Sequence, residues 1–275
     1  MNTTREWSGQ FKLTNTTLNN INISYQAIMN SIESYYYNYG LRLNPDGNKP
    51  NNTSSISHGL DFTHTLSSSM FYKLSARQNY FDYKSYMYES VFDPRYIAAG
   101  EFKGDNNYEL GATVQGVDLG RYIQKTNSII AKGDFTWQVN RNNMVEAGFE
   151  GQISDIQFGS PGFLQTTIVD GVATLVAKDK PTLINDPRID RYFPKQYAFY
   201  LQDRVELGDL VVRGGVRLEY YDANAEVPSD PANPANSIAG APQSVLKPTT
   251  AKFAIAPRLG FSFPLTAMSS VYFAY

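Results

Sequence analysis

The sequence predicts an all-β protein, an antiparallel transmembrane β-barrel of the outer-membrane type, from the length of its strands and the spacing of its connections. Apolar and polar residues alternate over long stretches, and a tilted strand needs about 9–11 residues to cross the hydrocarbon core of a bilayer. Short turns alternate with long loops along the whole chain. Outer-membrane barrels have this asymmetry, with short periplasmic turns and longer extracellular loops. The pattern predicts about ten strands.

The clearest pair of strands lies within residues 195–224, joined by a tight turn at Gly208-Asp209. Successive side chains of a strand point to opposite faces. One face of this pair is apolar, with Tyr197, Phe199, Leu201, Val205, Leu207, Leu210, Val212, Val216, Leu218 and Tyr220. The other face carries charges, at Arg204, Glu206, Arg213, Arg217 and Glu219. Soluble sandwiches alternate too, but their strands are usually nearer ~5–6 residues. A wall with lipid on one side and a wet lumen on the other explains both faces.

The remaining strands are identified by the same alternation, taken in chain order. Their apolar positions are Trp7, Phe11 and Leu13 in the first strand; Ile21, Ile23, Tyr25, Ala27 and Met29 in the second; Ile56, Leu60, Phe62 and Leu66 in the third; and Met70, Tyr72, Leu74 and Ala76 in the fourth. The fifth has Ile129, Ala131, Phe135, Trp137 and Val139, and the sixth has Val145, Ala147, Phe149 and Ile153. Residues 195–224 supply the seventh and eighth. Phe253, Ile255, Leu259, Phe261 and Phe263 mark the ninth, and Val271, Phe273 and Tyr275 the tenth.

The connections between these strands fall into two classes. Short turns are predicted near Thr17, Ser68, Asn142, Gly208 and Thr266. Long loops rich in Asn, Gly, Pro and Ser are predicted over residues 38–55, 91–120, 158–193 and 226–250. Within the third loop, residues 166–178 form an apolar run that indicates a small separate hairpin. The first strand is then expected to run toward the periplasm and the tenth toward the outside.

The composition excludes several classes of protein. A net charge of −2 lacks the positive excess that is typical of nucleic-acid-binding proteins. The absence of cysteine excludes disulfides and thiolate metal sites. The apolar runs are too short for a membrane helix, which needs ~20 residues. The 20 tyrosines and 16 phenylalanines suit a protein with aromatic girdles at the membrane interfaces. No secretory leader is visible at the first residues, so the chain is either cytosolic or an internal piece of a longer protein, and the strand pattern favours the piece.

Several short motifs give the chain a family likeness. Gln196 to Asp203 (QYAFYLQD), followed after a turn by Gly214 to Tyr220 (GGVRLEY), resembles a hairpin of TonB-dependent outer-membrane receptors. Residues 256–261 (APRLGF) with 270–275 (SVYFAY) are similar to the next hairpin of that family. His64-Thr-Leu with Phe71-Tyr72 resembles a hairpin of receptors that begin with a carboxypeptidase-regulatory-like domain.

The resemblance implies a non-catalytic transport component in the bacterial outer membrane. It implies a barrel of about 22 strands, plugged by an N-terminal domain through which a TonB-type energy-transducing complex acts. The partners expected from it are outer-membrane lipid, the chain's own plug domain and that complex, with no nucleic acid. The chain departs from the family in having no plug and about half of the strands. Residues 1–275 are therefore interpreted as one partial β-barrel domain, a fragment for energised uptake of an unidentified substrate.

Three alternatives stay open at this point, and one of them is a soluble β-protein. An aromatic last residue on an alternating strand, Tyr275, also suits a self-contained small barrel that acts as a passive channel. A small barrel could also be a hydrolase working at its rim, with carboxylates such as Asp82 or Asp222. Tyrosines at residues 35–39 and 80–88 suit either an interfacial girdle or stacking on a ligand.

The candidate site residues are charged positions expected to face the lumen, where they would pair with one another or hold the plug. No catalytic residue, cofactor site or metal site is predicted. His58 and His64 lie on the same side of one strand but about 20 Å apart, too far to share a metal, and are expected at an interface or in the lumen. Asp105, Asn106, Asn107 and Glu109 lack the ordered ligand spacing of a calcium loop. The lumen-facing candidates are Lys132, Asp134, Glu146, Glu150, Arg213, Arg217 and Glu219.

Overall fold

The computed structural model describes residues 2–105, 111–178, 189–238, 240–266 and 268–275. Within these ranges the chain forms seventeen strands and one short α-helix. In chain order they are β1 Thr3–Asn15, β2 Ile21–Tyr35, β3 Asn51–Ser67, β4 Met70–Ser85, α1 Pro94–Ala99, β5 Lys103–Asp105, β6 Ala112–Gln115, β7 Tyr122–Gln138, β8 Asn143–Gly159, β9 Phe163–Val169, β10 Val172–Lys178, β11 Ile189–Tyr192, β12 Lys195–Leu207, β13 Leu210–Asp222, β14 Glu226–Pro228, β15 Leu246–Pro248, β16 Lys252–Thr266 and β17 Ser269–Ala274.

Ten long strands form one antiparallel meander in the order β1-β2-β3-β4-β7-β8-β12-β13-β16-β17. These are the ten strands that the sequence predicts, in the predicted order. β11 also pairs with β8, just before β12 on the same edge. Phe193 and Pro194 separate the two, because proline has no N–H to give to the strand ladder. Among the described strands, β1 pairs only with β2 and β17 only with β16, so the barrel wall is open.

The long connections carry more regular structure than the sequence indicates. The hairpin predicted within residues 166–178 is confirmed as β9–β10, with Asp170 and Gly171 at positive φ in the turn. The sequence predicts an irregular connection over residues 91–120, but it holds α1 and the β5–β6 hairpin. The helix starts where Asp93 caps it and Pro94 occupies its first position, a standard start signal. The loop over residues 226–250 holds the β14–β15 hairpin.

Several strands also run further than their apolar positions indicate. β3 begins at Asn51, opposite Ser85 of β4, rather than near Ile56. β8 continues to Gly159 because Ile123 of β7 and Ile189 of β11 pair with it there. Backbone ladders do not depend on apolar side chains, so they extend into the polar residues beyond the alternating apolar stretches.

The register gives the sheet two chemically different faces. Direct cross-strand partners share a face, and one such row joins Lys132, Glu150, Ala198 and Glu219. The face that contains this row is called the charged face below. The opposite face is called the apolar face, and its large side chains include Trp7, Phe11, Leu60, Leu74, Ile129, Phe149, Phe199, Leu218 and Ile255.

Two adjacent glycines let aromatic rings lie flat on the sheet. A Cβ at Gly133 would be 2.4 Å from Cε1 of Phe149 on the apolar face. A Cβ at Gly148 would be 2.4 Å from Cε1 of Tyr200 on the charged face. The Tyr200 hydroxyl then donates a hydrogen bond of 2.6 Å to Asp134, across Gly148. The glycines thus let the rings of neighbouring strands pack against the backbone.

Candidate functional site

All seven charged candidates lie on the charged face. The registers of β7, β8, β12 and β13 place Lys132, Glu150 and Glu219 in one row, and Asp134 and Arg217 in the next. Glu146 lies one row further toward the short turns, opposite Gln202. Arg213 lies beyond it, opposite Arg204. Other charged residues, which are not among the predicted candidates, share this face at Lys12, Asp61, Lys73, Arg77 and Arg258.

Few of these charged groups contact one another, and two of the carboxylates are held by neutral side chains. Within the set, Nε of Arg217 and Oε1 of Glu219 lie 2.8 Å apart. Asp134 is held instead by the hydroxyl of Tyr200, and Glu146 by the amide of Gln202. Elsewhere on this face Arg77 pairs with Asp61 at 3.7 Å. The charged face therefore presents charges that are only partly compensated by side chains of the same wall.

The apolar face changes character along the strands. Residues 129–137 of β7 are apolar or glycine at each position on this face, a length within the about 9–11 residues that span a bilayer. Nearer the long loops the same face is polar: Oε1 of Gln78 accepts a hydrogen bond from Nε2 of His58 at 3.2 Å, and Nε2 of Gln78 donates to Asn127 at 2.9 Å. Beyond them, Arg191 donates to both carboxylate oxygens of Asp155, at 2.9 and 2.7 Å.

The two histidines lie on the apolar face, not on the charged face. The ring of His58 lies 6.1 Å from that of Tyr25, and His64 shares a hydrogen bond of 3.2 Å with the hydroxyl of Tyr72. The histidines are expected at an interface or in the lumen. The register excludes a position beside the charged candidates, which are the residues expected in the lumen. Each ring thus makes one hydrogen bond to its cross-strand partner at this surface.

Residues 36–50 pack together with residues 86–105 and 111–121 into one unit, called the loop cap below. Asn44 donates to the carbonyl of Gly116 at 2.7 Å, and Lys49 pairs with Asp118 at 3.2 Å. Gly116 has φ of +90°, and a Cβ there would be 2.0 Å from the carbonyl oxygen of Glu101, so the position requires glycine. Most of the buried apolar residues of the described chain belong to this cap or border it, at Leu41, Val91, Tyr96, Ala112, Val117 and Ile123.

Arg121 joins residues 88, 89 and 96 of the loop cap to Pro161 of the next long loop, and it is only 7% exposed. Its guanidinium donates to the carbonyls of Tyr88, Glu89 and Pro161 at 2.6, 2.6 and 3.0 Å. It also donates to the hydroxyl of Tyr96 at 2.9 Å. Sequence reasoning missed this residue because its partners are mainly backbone carbonyls. Every residue type possesses a backbone carbonyl, so such partners cannot be identified from the sequence.

A cleft of about 610 Å³ opens beside the loop cap and is lined by Tyr35, Tyr36 and Tyr37. Arg42 and Asp46 also line it, and the guanidinium of Arg42 lies 4.0 Å from the ring centre of Tyr39. Three of the tyrosines here therefore line a concave surface, which suits the stacking interpretation better than a girdle alone.

The pKa of Asp93 is lowered to about 2 because Arg95 donates to it from its side chain and its backbone N–H. A carboxyl with a lowered pKa stabilises the folded form above its ordinary pKa of 3.8, and this stabilisation is lost as the pH falls toward 2. We expect the amide protons of α1 to lose protection between pH 4 and pH 2, as measured by hydrogen exchange.

Asp93→Asn should remove this pH dependence and lower the protection of α1 at neutral pH. Asp46→Asn is the matched control, because the side chain of Asp46 makes no hydrogen bond or ion pair with the described residues. Equal pH dependence of α1 in wild type and Asp93→Asn would contradict the assignment.

The described residues contain no group of three or more histidine, aspartate or glutamate side chains that could hold a metal ion. Of the weak calcium-loop pattern, Asn106, Asn107 and Glu109 lie outside the described residues. No helix in the described ranges is long and apolar enough to cross a membrane. Asp82 and Asp222 are separated by four strand spacings, or about 19 Å, because β7, β8 and β12 lie between β4 and β13. They cannot act together on one bond.

Comparison with known proteins extends the likeness to the whole chain. Residues 2–275 match the family described as TonB dependent receptor-like, beta-barrel. The outer membrane transporter YddB from Escherichia coli has a similar fold, with a TM-score of 0.61 and 13% identity over 94% of this chain and 29% of that chain.

Two other solved structures give the same result. The FrpB iron transporter from Neisseria meningitidis has a TM-score of 0.59 and 10% identity over 98% of this chain and 36% of that chain. The copper transporter OprC has a TM-score of 0.58 and 13% identity, with the same coverage of 98% and 36%. The chain thus spans about a third of the length of these structures. No curated protein matches the sequence.

Proposed function

This chain belongs to the TonB-dependent receptor-like β-barrel family, and from that membership we propose that it is part of the barrel of a receptor that takes up a solute with energy supplied through TonB. Proteins of this family are outer-membrane transporters rather than enzymes, so the chain is located in the bacterial outer membrane. The proposal concerns the whole receptor, of which residues 1–275 supply one barrel domain.

The observation that supports this proposal most strongly is the pair of unlike faces on one continuous meander. The apolar face meets lipid, and its polar margin near Gln78, Asn127 and Asp155 marks the outer limit of the hydrocarbon. The charged face lines the lumen, and its seven predicted residues contact the plug or the passing solute. The strands extend beyond the membrane on the side of the loop cap, which faces the outside.

The plug and the energy source follow from the family and not from the residues described. A plug domain of the same receptor fills the lumen, and the TonB-type complex acts on it from the periplasm. The loop cap and its tyrosine-lined cleft form part of the outer surface that first meets the solute. The passive-channel alternative differs from this proposal in needing neither plug nor TonB.

The test uses the complete receptor gene in its own host and does not require the solute to be identified first. Wild-type cells, cells without the receptor and cells without TonB are grown in the same medium, and depletion of each solute is followed by mass spectrometry. We expect at least one solute whose depletion is lost in both deletion strains and restored by the receptor gene. A receptor-dependent depletion that persists without TonB would support the passive channel instead, and receptor-dependent hydrolysis products would support the rim hydrolase.

A further inference from the structure

Three arginines lie on neighbouring strands of the charged face, in the half nearer the short turns. Arg204 of β12 is the direct cross-strand partner of Arg213 of β13. Arg213 is in turn opposite Gly260 of β16, and Arg258 is opposite Gly215 two residues away. The register thus brings the three guanidinium-bearing positions together within two rows of the wall.

The described residues compensate only one of these charges. Arg204 pairs with Glu206 at 2.6 Å. Arg213 and Arg258 make no side-chain ion pair or hydrogen bond with any described residue. Glu146, which lies in the same row as Arg258, accepts a hydrogen bond from Gln202. Like charges placed directly opposite each other destabilise a sheet, so this arrangement is expected to be balanced by an anion from outside the described wall.

Small residues leave a cleft in the wall beside these arginines. Ala256, Gly215 and Gly260 line a cleft of about 480 Å³ together with Arg213 and Arg258. A Cβ at Gly215 would lie 2.6 Å from Cβ of Gln202, so a larger residue does not fit there.

A second cleft, of about 230 Å³, lies on the other side of Arg213. Arg204, Ser262 and Tyr272 line it, so hydroxyl groups are available beside the guanidinium groups. Arg213 borders both clefts.

We propose that Arg204, Arg213 and Arg258 form an anion-binding site on the lumen wall, which takes a carboxylate or phosphate group. Guanidinium groups bind these planar or multi-oxygen anions through paired, charge-assisted hydrogen bonds. This inference rests on the proposed function, because it requires the charged face to line the lumen. The anionic group belongs either to the solute or to an acidic side chain of the plug, and the chemistry is the same in both cases.

The test compares the complete wild-type receptor with Arg213→Gln, Arg258→Gln and the double variant. Lys73→Gln is the matched control, since it removes one positive charge from the same face and the Lys73 side chain makes no hydrogen bond or ion pair with the described residues. Heat-modifiable mobility and yield in the outer membrane show that each variant folds. Inorganic phosphate is titrated into each purified receptor by calorimetry, and release of the plug in urea is followed by a fluorescent label on the plug.

If the solute supplies the anion, phosphate binds the wild type and Lys73→Gln, and each arginine substitution weakens binding about tenfold. If the plug supplies it, phosphate does not bind, but the double variant releases its plug at a lower urea concentration than Lys73→Gln does. Either result supports the site and identifies the source of the anion. No phosphate binding together with equal plug release in the double variant and Lys73→Gln overturns it. TonB-dependent uptake is measured separately, so that failure of the anion-binding site can be distinguished from failure of the proposed function.

Discussion

Replacing Gly148 with alanine is expected to destabilise the barrel wall by about 1–3 kcal/mol, the usual cost of overpacking a well-filled site. A Cβ at this position would lie 2.4 Å from Cε1 of Tyr200 and 2.7 Å from the carbonyl oxygen of Gly133. The ring can turn away only by giving up its hydrogen bond to Asp134, and the backbone oxygen cannot move without shifting β7. Urea unfolding of the complete receptor in lipid vesicles measures the change in free energy.

Gly214→Ala is the control for this experiment. Gly214 lies in the neighbouring part of the same wall, and a Cβ there meets no heavy atom within 4 Å. Both substitutions add one methyl group to a strand, so intrinsic strand preference is the same for both. Equal stability of the two variants would show that the ring of Tyr200 does not pack against Gly148 as described.

The second large effect is expected from Arg121→Lys in the loop cap. The lysine ammonium keeps the charge but has no planar fork to reach three carbonyls and a hydroxyl at once. Losing two of the four hydrogen bonds costs about 2–4 kcal/mol when the partners are buried. Hydrogen exchange at the amides of residues 88–100 should accelerate about 100-fold, because the cap opens locally without unfolding the barrel.

Arg42→Lys is the matched control for the cap. Arg42 lies in the other loop of the cap, and its guanidinium donates to the carbonyl of Tyr39 at 2.8 Å. This contact lies within its own loop, outside residues 88–100, so exchange at residues 88–100 should stay near the wild-type rate. An Arg121→Lys variant with the same exchange rates as Arg42→Lys would mean that Arg121 does not join the loops.

The sheet could be predicted from the sequence because alternation is a local signal. Phe199, Leu201 and Val205 against Gln202, Arg204 and Glu206 define two faces without reference to any other strand. The turn at Gly208-Asp209 and its counterparts then determine which strands are neighbours. For the same reason the sequence predicts the small hairpin within residues 166–178 correctly, since its own residues contain the turn signal and the apolar positions.

The ends of strands and the interior of the long loops could not be predicted in this way. β3 extends to Asn51 because Ser85 faces it, which is a property of two distant segments. Arg121 joins residues 88, 89, 96 and 161 mainly through backbone carbonyls, which every residue type possesses. Neither contact changes the local pattern of residue types.

The sequence by itself therefore determined the fold class, the number and order of the long strands, and the side of the wall on which each charge lies. These properties depend on side-chain alternation within one strand and on the length of each connection. The tertiary structure alone decided which charges are neighbours, as with Arg204, Arg213 and Arg258, and how the loops close into a cap. Register and loop packing arise from contacts between segments far apart in the chain, and local residue patterns do not encode them.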